Sequence, residues 1–296
     1  MTRAALDLAR PPFRVIAGQD AHDAAEDFVG CFDALTHLPD KVQTCFAAAL
    51  DACGLAPDAP LCRAGMQIAR DMDAGVGAGT ANAYHNTQHS CEVLLNALYL
   101  SRLAGTESQA SREILLAALV HDFHHDGTTN ESIAFRLERL AADATLPYLE
   151  AAGAPAVERL RVTSLILATE LGTGMRFARQ CHLHFSAGSP RPSLHGIPQP
   201  LAALAADADL ARQAVLVGEA DLLSSVGLTV HYGQSQQQKL AEEWNRPLGA
   251  DHKLRFLDLF DDFPISRFFS PNLRTLKSAA RTEQERELPA GGRRAD

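Results

Sequence analysis

Apolar residues recur along this chain at intervals of three and four, which is the spacing of one helix face. Val and Ile never alternate with polar residues in a run bounded by turns, so no strand is predicted. The pattern predicts an all-α fold, a compact bundle of many helices with short connections and one core. Helices are predicted over residues 21–35, 40–53, 86–103, 106–122, 131–143, 156–172, 202–226, 234–245 and 251–263.

Glycine and proline mark the predicted breaks between these helices. Three glycines indicate a flexible loop over residues 73–80, and four prolines indicate another over residues 182–200. Residues 1–20 are expected to be irregular, and residues 21–280 to form a single helical domain. Residues 281–296, rich in charge and containing a Gly-Gly-Arg-Arg run, are expected to be a disordered tail.

Charge narrows the range of partners. The chain carries 27 Lys and Arg against 36 Asp and Glu, a net charge of −9. This balance excludes duplex nucleic acid as the expected partner, because that binding depends on Lys and Arg neutralising phosphates. A small anionic substrate stays open, because a bound metal ion outweighs a distant negative field. No uncharged apolar stretch reaches the roughly 18 residues of a membrane span, so no membrane partner is predicted; the oligomeric state stays open.

The six cysteines indicate a compartment. They are irregularly spaced and none forms a CxxC pair. The first residues lack the apolar core and cleavage site of a secretory signal. We therefore expect reduced, mostly buried thiols in a cytoplasmic protein.

The first candidate chemical motif is a histidine pair in the run Tyr84-His85-Asn86-Thr87-Gln88-His89. The two histidines are four residues apart where a loop enters a helix, which places both imidazoles on one side of that helix. The alternative is a surface pair in which Asn86 only caps the helix.

The second motif, His121-Asp122-Phe123-His124-His125-Asp126-Gly127, follows an apolar run of seven residues. Uncompensated charge at the end of a deeply packed helix is costly, and a bound cation compensates it. Imidazole and carboxylate together suit zinc, manganese or iron. The alternative is a polar helix end that meets water.

The third motif is a single carboxylate within an apolar helix. Asp221 shares a helix face with Ala214 and Val217, so it points where apolar neighbours point. A buried carboxylate needs a partner, and a metal ion is one. A capped or solvated aspartate is the alternative.

In order, the histidine, the His-Asp pair and the distant aspartate resemble the signature of HD-domain metal-dependent phosphohydrolases. The two histidine motifs more closely resemble the catalytic domain of class I cyclic nucleotide phosphodiesterases. Residues 166–170, 219–222 and 254–258 resemble further segments of that family in the same order. The resemblance spans about two thirds of the chain, from Tyr84 to Phe269.

The resemblance implies hydrolysis of 3′,5′-cyclic nucleotides, cAMP or cGMP, to 5′-monophosphates with two divalent metal ions. One ion, zinc, would be held by four residues, and one of the four, Asp122, would bridge to a second ion, magnesium or manganese. A hydroxide shared by two cations forms near neutral pH and attacks phosphorus in line. The four implied ligands are His89, His121, Asp122 and Asp221.

The resemblance also implies roles around these ligands. His85 would be the general acid that protonates the departing O3′, and His125 would orient the nucleophile. Phe256 would stack on the purine, and Lys253 and Asn86 are the other implied substrate-binding residues.

Lys253 departs from the family, which has a glutamine at this position. Lysine only donates hydrogen bonds, so it can meet guanine O6 or adenine N1 but not an exocyclic amine. This departure keeps two alternatives open. One is an HD phosphohydrolase that acts on another nucleotide or phosphoester, and the other is a non-catalytic relative that binds metal or nucleotide.

Overall fold

The computed structural model describes residues 6–77, 81–106, 108–131, 133–258, 260 and 264–287. Within these ranges the chain forms thirteen α-helices and no strand, which confirms the predicted all-α fold. Two 3₁₀ turns, Ala203–Ala205 and Ser266–Phe269, add to them. The helices are α1 Ala21–Thr36, α2 Lys41–Ala52, α3 Pro60–Asp73, α4 Thr87–Leu103, α5 Ser108–Val120, α6 Arg136–Ala151, α7 Ala156–Leu167, α8 Gly174–Ala187, α9 Gln199–Ala202, α10 Ala208–Val226, α11 Val230–Glu243, α12 Ala250–Asp258 and α13 Ser270–Glu287.

Helices α4, α5 and α10 form the centre of the molecule. Every residue of α4 from His89 to Ser101 is buried, and so is nearly all of α10 after its first turn. Helices buried on all sides must be surrounded by others, and α4 packs against α2, α5 and α10 while α10 also packs against α8. Because α4 and α5 are consecutive and packed together, the start of α4 lies beside the end of α5.

Helices α3 and α8 lie where the sequence pattern predicts none or a loop, and the short helix α9 also begins within the predicted loop over 182–200. Helix α3 was not predicted. Pro60 lies in its first turn, where proline is tolerated and is compatible with the start of a helix. Helix α8 extends through the first part of the predicted loop over 182–200 and ends at Ala187, before Gly188 in the left-handed conformation (φ +67°). The four prolines all follow Gly188, so they do not interrupt α8.

The last helix corrects the predicted disordered tail. Residues 281–287 continue α13, and 288–296 lie outside the described residues. Arg281, Glu285 and Arg286 of this segment are exposed, and Leu273 and Leu276 of the same helix pack against Leu257 of α12. At the other end, residues 6–20 contain turns but no helix, and residues 1–5 lie outside the described ranges.

Several predicted boundaries also shift. Helix α6 begins at Arg136 instead of residue 131, after Phe135 in a left-handed conformation (φ 62°). Helix α10 begins at Ala208, where Asp207 accepts a hydrogen bond from the Leu210 backbone N–H and caps the helix. Helix α12 ends at Asp258, and part of the predicted helix over 251–263 lies outside the described residues. Among the described residues, no single helix combines the length and hydropathy of a bilayer crossing; α10 and α11 pass that test only together, as a pair bent by 100°.

The contact of α3 with α2 gives a stability prediction. A Cβ on Gly65 would lie 2.5 Å from Cε1 of Phe46, whose side chain is fully buried. Gly65→Ala is therefore expected to lower the free energy of unfolding by about 1–3 kcal/mol through overpacking, measured by denaturant titration. The control is Gly30→Ala on α1, where no atom lies within 4 Å of the added Cβ. That change should be neutral or stabilise the helix by up to about 1 kcal/mol; equal destabilisation of both variants would contradict the prediction.

Candidate active site

The four residues implied as metal ligands meet at one point of the fold, and we call them the His/Asp cluster. His89 lies in the first turn of α4, His121 and Asp122 directly follow α5, and Asp221 lies in α10. Their ligand atoms all lie within 4.8 Å of one another. His89 Nε2 lies 3.4 Å from Asp122 Oδ2 and 3.3 Å from Asp221 Oδ1, and His121 Nε2 lies 3.0 Å and 3.3 Å from the same two oxygens.

The two imidazoles of the cluster are buried, and the Nε2 atom of each faces the Asp122 and Asp221 carboxylates without the geometry of a hydrogen bond. His89 is 3 % exposed and His121 is 1 % exposed, and neither Nε2 makes a hydrogen bond. His121 Nδ1 lies 2.9 Å from the Ala118 carbonyl, which can only accept, so Nδ1 carries a hydrogen and Nε2 is the ring nitrogen left to bind a cation. A metal ion satisfies buried nitrogen atoms of this kind. Two imidazoles and two carboxylates are a donor set that fits zinc or another borderline divalent ion.

The charges of the cluster are strongly coupled. Burial lowers the pKa of His89, but the carboxylates of Asp122 and Asp221 offset this and raise it to about 9. Burial raises the pKa of Asp221, but the neighbouring imidazoles of His121 and His89 lower it to about 2. Burial likewise raises the pKa of Asp122, but the imidazoles of His121, His85 and His89 offset this and hold it well below its usual range. Both carboxylates therefore remain ionised in a half-buried place and attract positive charge, which is the electrostatic condition for cation binding.

A second group, the His/Glu cluster, lies beside the first and consists of His85, His125 and Glu243. His85 Nδ1 lies 2.5 Å from Glu243 Oε1, and the His85 ring stacks on the His125 ring with centroids 3.8 Å apart. Glu243 Oε2 also accepts the backbone N–H groups of Tyr84 and His85 at 2.8 and 2.9 Å. Burial raises the pKa of Glu243, but His85 and these N–H groups lower it to about 2. The carboxylate thus fixes both the ring and the backbone of His85.

His125 is held as a neutral imidazole. Burial lowers its pKa to about 4. Its Nδ1 accepts the Gly127 N–H at 3.0 Å, so the ring hydrogen lies on Nε2. Asn82 Nδ2 donates to the backbone carbonyls of both His85 (3.1 Å) and His125 (3.0 Å) and ties the two loops together. A Cβ on Gly127, which has φ +76°, would lie 2.9 Å from Asn82 Oδ1, so glycine permits this close approach.

Both clusters face one cavity of about 680 Å³, here called the central cavity. His85, His125, Asp122 and Asp221 lie on one part of its wall, and Phe256 and Lys253 of α12 line it as well. A cavity of this volume suits a small molecule. The geometry brings predicted catalytic, metal-ligating and substrate-binding residues to a single space.

Asn86 is placed differently from its implied role in substrate binding. It caps α4: its Oδ1 accepts the backbone N–H of Gln88 at 2.9 Å and of His89 at 3.3 Å. Its Nδ2 donates to the carbonyls of Asn82 and Ala83, and it does not line the central cavity. Asn86 therefore positions His89 and does not contact the cavity, because its amide is fully used by the backbone.

Lys253 also differs from the expectation that its ammonium meets a nucleotide base. It lines the central cavity, but its Nζ donates to both carboxylate oxygens of Glu283 on α13 at 2.7 Å. The positive charge is therefore paired within the protein.

Sequence reasoning assigned no role to three acidic residues in or near the site. Glu243 lies 158 residues from His85 in an ordinary polar helix, and no local signal distinguishes it. Glu92 is buried and accepts Tyr232 Oη (2.6 Å) and Gln236 Nε2 (2.7 Å), which holds α11 against α4. The sequence signal for Glu92 was a charged residue among the apolar residues of a predicted helix, because a buried charge needs a partner.

The third, Glu138, lines the central cavity together with Asp122. Asn130 donates to its carboxylate oxygens at 3.0 and 3.3 Å. Burial is the main cause that raises the pKa of Glu138 to about 7, and the Asp122 charge adds to it. The wall near Asp122 therefore carries more carboxylate than the motifs alone indicate.

No family model and no curated protein match the chain by sequence. Solved structures do match its fold. One is the phosphodiesterase domain of a RhoPDE fusion protein from the choanoflagellate Salpingoeca rosetta, with 18 % identity and a TM-score of 0.59 over 95 % of this chain and 98 % of that one. Another, the phosphodiesterase domain of the rhodopsin phosphodiesterase of the same organism, has 17 % identity and a TM-score of 0.56 over 94 % and 95 %. The chain therefore has the fold of these phosphodiesterase domains over nearly its whole length.

Proposed function

We propose that the protein is a metal-dependent phosphodiesterase that hydrolyses 3′,5′-cyclic nucleotides, cAMP or cGMP, to 5′-monophosphates. The observation that carries the proposal is the meeting of the His/Asp cluster and the His/Glu cluster on the wall of one central cavity. A group that binds cations and a group that moves protons are the two components that phosphodiester hydrolysis requires. The shared fold with two phosphodiesterase domains supports the same reaction class.

The His/Asp cluster would hold one divalent ion, with zinc favoured by its donor types, and Asp122 would be shared with a second ion, magnesium or manganese. Ions held by these residues would stabilise charge on the phosphoryl oxygens and lower the pKa of a bound water. The chain contributes rigid donors: the Ala118 carbonyl fixes the tautomer of His121, and the cap by Asn86 fixes the start of α4 that carries His89.

His85 is the proposed general acid. Glu243 holds its Nδ1, so its Nε2 is the atom that would deliver a proton to the departing O3′ oxygen. An alkoxide leaves poorly without a proton, and such a donor contributes about 10²–10⁴ in rate. His125, neutral and stacked on His85, would donate a hydrogen bond from Nε2 that orients the nucleophile, without adding charge beside the acid.

Phe256 is the proposed platform for the base. It lines the central cavity with apolar neighbours, among them Leu240 and Leu248. An aromatic face stacks on any purine, so it contributes affinity with little selectivity. Selectivity must then come from the shape and the polar groups around the edge of the base.

A second candidate function rests on Lys253. Its ammonium is paired with Glu283, so the cavity presents no side-chain amide at the position where the resembled family has glutamine. This favours, as the alternative, hydrolysis of another nucleotide or phosphoester at the same metal centre. A non-catalytic protein that binds metal or nucleotide is the third hypothesis. One hydrolysis assay distinguishes the three.

The test is an assay of the purified protein with cAMP and cGMP, before and after chelation and after addition of Zn²⁺ with Mg²⁺ or Mn²⁺. We expect 5′-monophosphate product, its loss on chelation and its return with metal. Nucleotide triphosphates and other phosphoesters form the comparison panel. Product from the panel alone would favour the alternative, and tight cyclic nucleotide binding by metal-loaded protein without turnover would favour the binding protein.

A further inference from the structure

The ion pair between Lys253 and Glu283 stands between two cavities. Besides the central cavity, a second one of about 650 Å³, here called the side cavity, is lined by α11, α12 and α13. Lys253, Gln237 and Leu248 line both cavities, and Glu283 lines only the side cavity. The side cavity lies at the surface, since Gln234 and Gln238 on its wall are exposed.

The geometry of the Lys253–Glu283 ion pair suits a wall between the two cavities. Lys253 Nζ lies 2.7 Å from both Oε1 and Oε2 of Glu283, so two of its three donors are committed to one carboxylate. The Lys253 side chain is 15 % exposed, which shows that the stem and its charge are mostly enclosed. The partner is supplied by a helix that is itself packed on α12 through Leu257, Leu273 and Leu276. The Glu283 side chain is 39 % exposed, so the lysine end of the pair is enclosed while the carboxylate end faces the open side cavity.

Lys253 and Phe256 are three residues apart on α12, so they lie on the same side of that helix. A base stacked on Phe256 therefore has the Lys253 stem beside it and the side cavity beyond. Because Glu283 neutralises the charge of Lys253, the main effect of this side chain is to limit the space available to the base, and its attraction for an acceptor on the base is weaker.

We propose that the Lys253–Glu283 pair is a partition that limits the size of the purine accepted by the central cavity, with Glu283 as a positioning residue. This inference rests on the proposed function and adds its substrate class: cyclic purine nucleotides without large substituents on the base edge. Loss of the partition joins the central and side cavities and admits such substituents.

The test measures kcat/KM for cAMP and for two analogues, one with a benzyl group on the exocyclic N6 amine and one with a benzylthio group at C8. In Glu283→Ala, kcat/KM for at least one analogue relative to cAMP should rise by about tenfold or more, because steric exclusion in a pocket is worth roughly that factor per small group. Lys253→Ala should raise the same ratio, and the double variant should exceed neither single variant, because both remove one device.

The matched control is Gln284→Ala. Gln284 neighbours Glu283 and bonds Asp251 of α12, so it joins the same two helices without lining either cavity. Its analogue ratio should equal that of the wild type. An unchanged ratio in Glu283→Ala with both analogues, or an equal rise in Gln284→Ala, overturns the partition.

Failure of the proposed function is separately visible. If the wild type hydrolyses no cyclic nucleotide, that function fails, and crystal structures of the wild type and Glu283→Ala still decide the partition. Joined cavities in the variant alone support it, and cavities that stay separate overturn it. Binding is followed independently by the fluorescence of Trp244, the single tryptophan of the chain, which lines the central cavity.

Discussion

Asp122→Ala is expected to lose both metal and activity. Asp122 Oδ2 lies within 3.4 Å of both cluster histidines, and the carboxylate also lines the central cavity. Removing it takes away one of the two carboxylates proposed to hold the first ion and the proposed bridge to the second. Metal-ion catalysis supplies several kcal/mol, so cyclic nucleotide turnover should fall by about a thousandfold or more. Metal content by mass spectrometry and kcat by product assay are the measurements.

The control for this change is Asp143→Ala, which removes the same charge from the exposed face of α6. It should keep both metal and turnover. Thermal unfolding of both variants separates loss of the site from loss of the fold. Full metal content and full activity in Asp122→Ala would contradict the assignment of this residue as a ligand.

The sequence predicted helix content better than helix ends. Core helices such as α4 and α5 carry long apolar runs, and burial forces those runs to be helical over most of their length. Helix α8 and the end of α13 were missed because their residues are mixed in polarity, and only tertiary packing decides where such helices stop. The αL glycine at Gly188 is a local signal that composition of the surrounding loop obscured.

Some residues of the candidate site could likewise be predicted from local sequence, and others could not. The metal motifs lie within a few residues of one another or on the apolar face of a helix, so spacing alone could suggest them. Glu243 and Glu283 reach the site from distant helices, through contacts with His85 and Lys253 that span 158 and 30 residues. No short-range pattern encodes such contacts, because they depend on how whole helices pack. The role of Asn86 was ambiguous for a related reason, since a capping amide and a binding amide have the same chemistry.

His85→Ala is expected to keep the metal and lose the leaving-group step. His85 belongs to the His/Glu cluster and not to the His/Asp cluster, so metal content should be unchanged. Hydrolysis of cAMP should fall by about 10²–10⁴, the usual contribution of a positioned acid. Bis(p-nitrophenyl) phosphate, whose leaving group departs as a stable anion without a proton, should lose much less. The measurement is the ratio of the two kcat/KM values in wild type and variant.

Glu243→Gln tests how the acid is held. The amide keeps the shape of the carboxylate but removes its charge and can present an N–H to Nδ1, which disfavours the tautomer and orientation seen with Glu243. Turnover of cAMP should fall by about 10- to 100-fold, as for loss of a partner that orients a functional imidazole. The adjacent, exposed Glu242→Gln is the matched control and should behave as wild type. If both His85→Ala and Glu243→Gln lowered the two substrates equally, these residues would act on binding or metal retention, and proton delivery to O3′ would need another donor on the cavity wall.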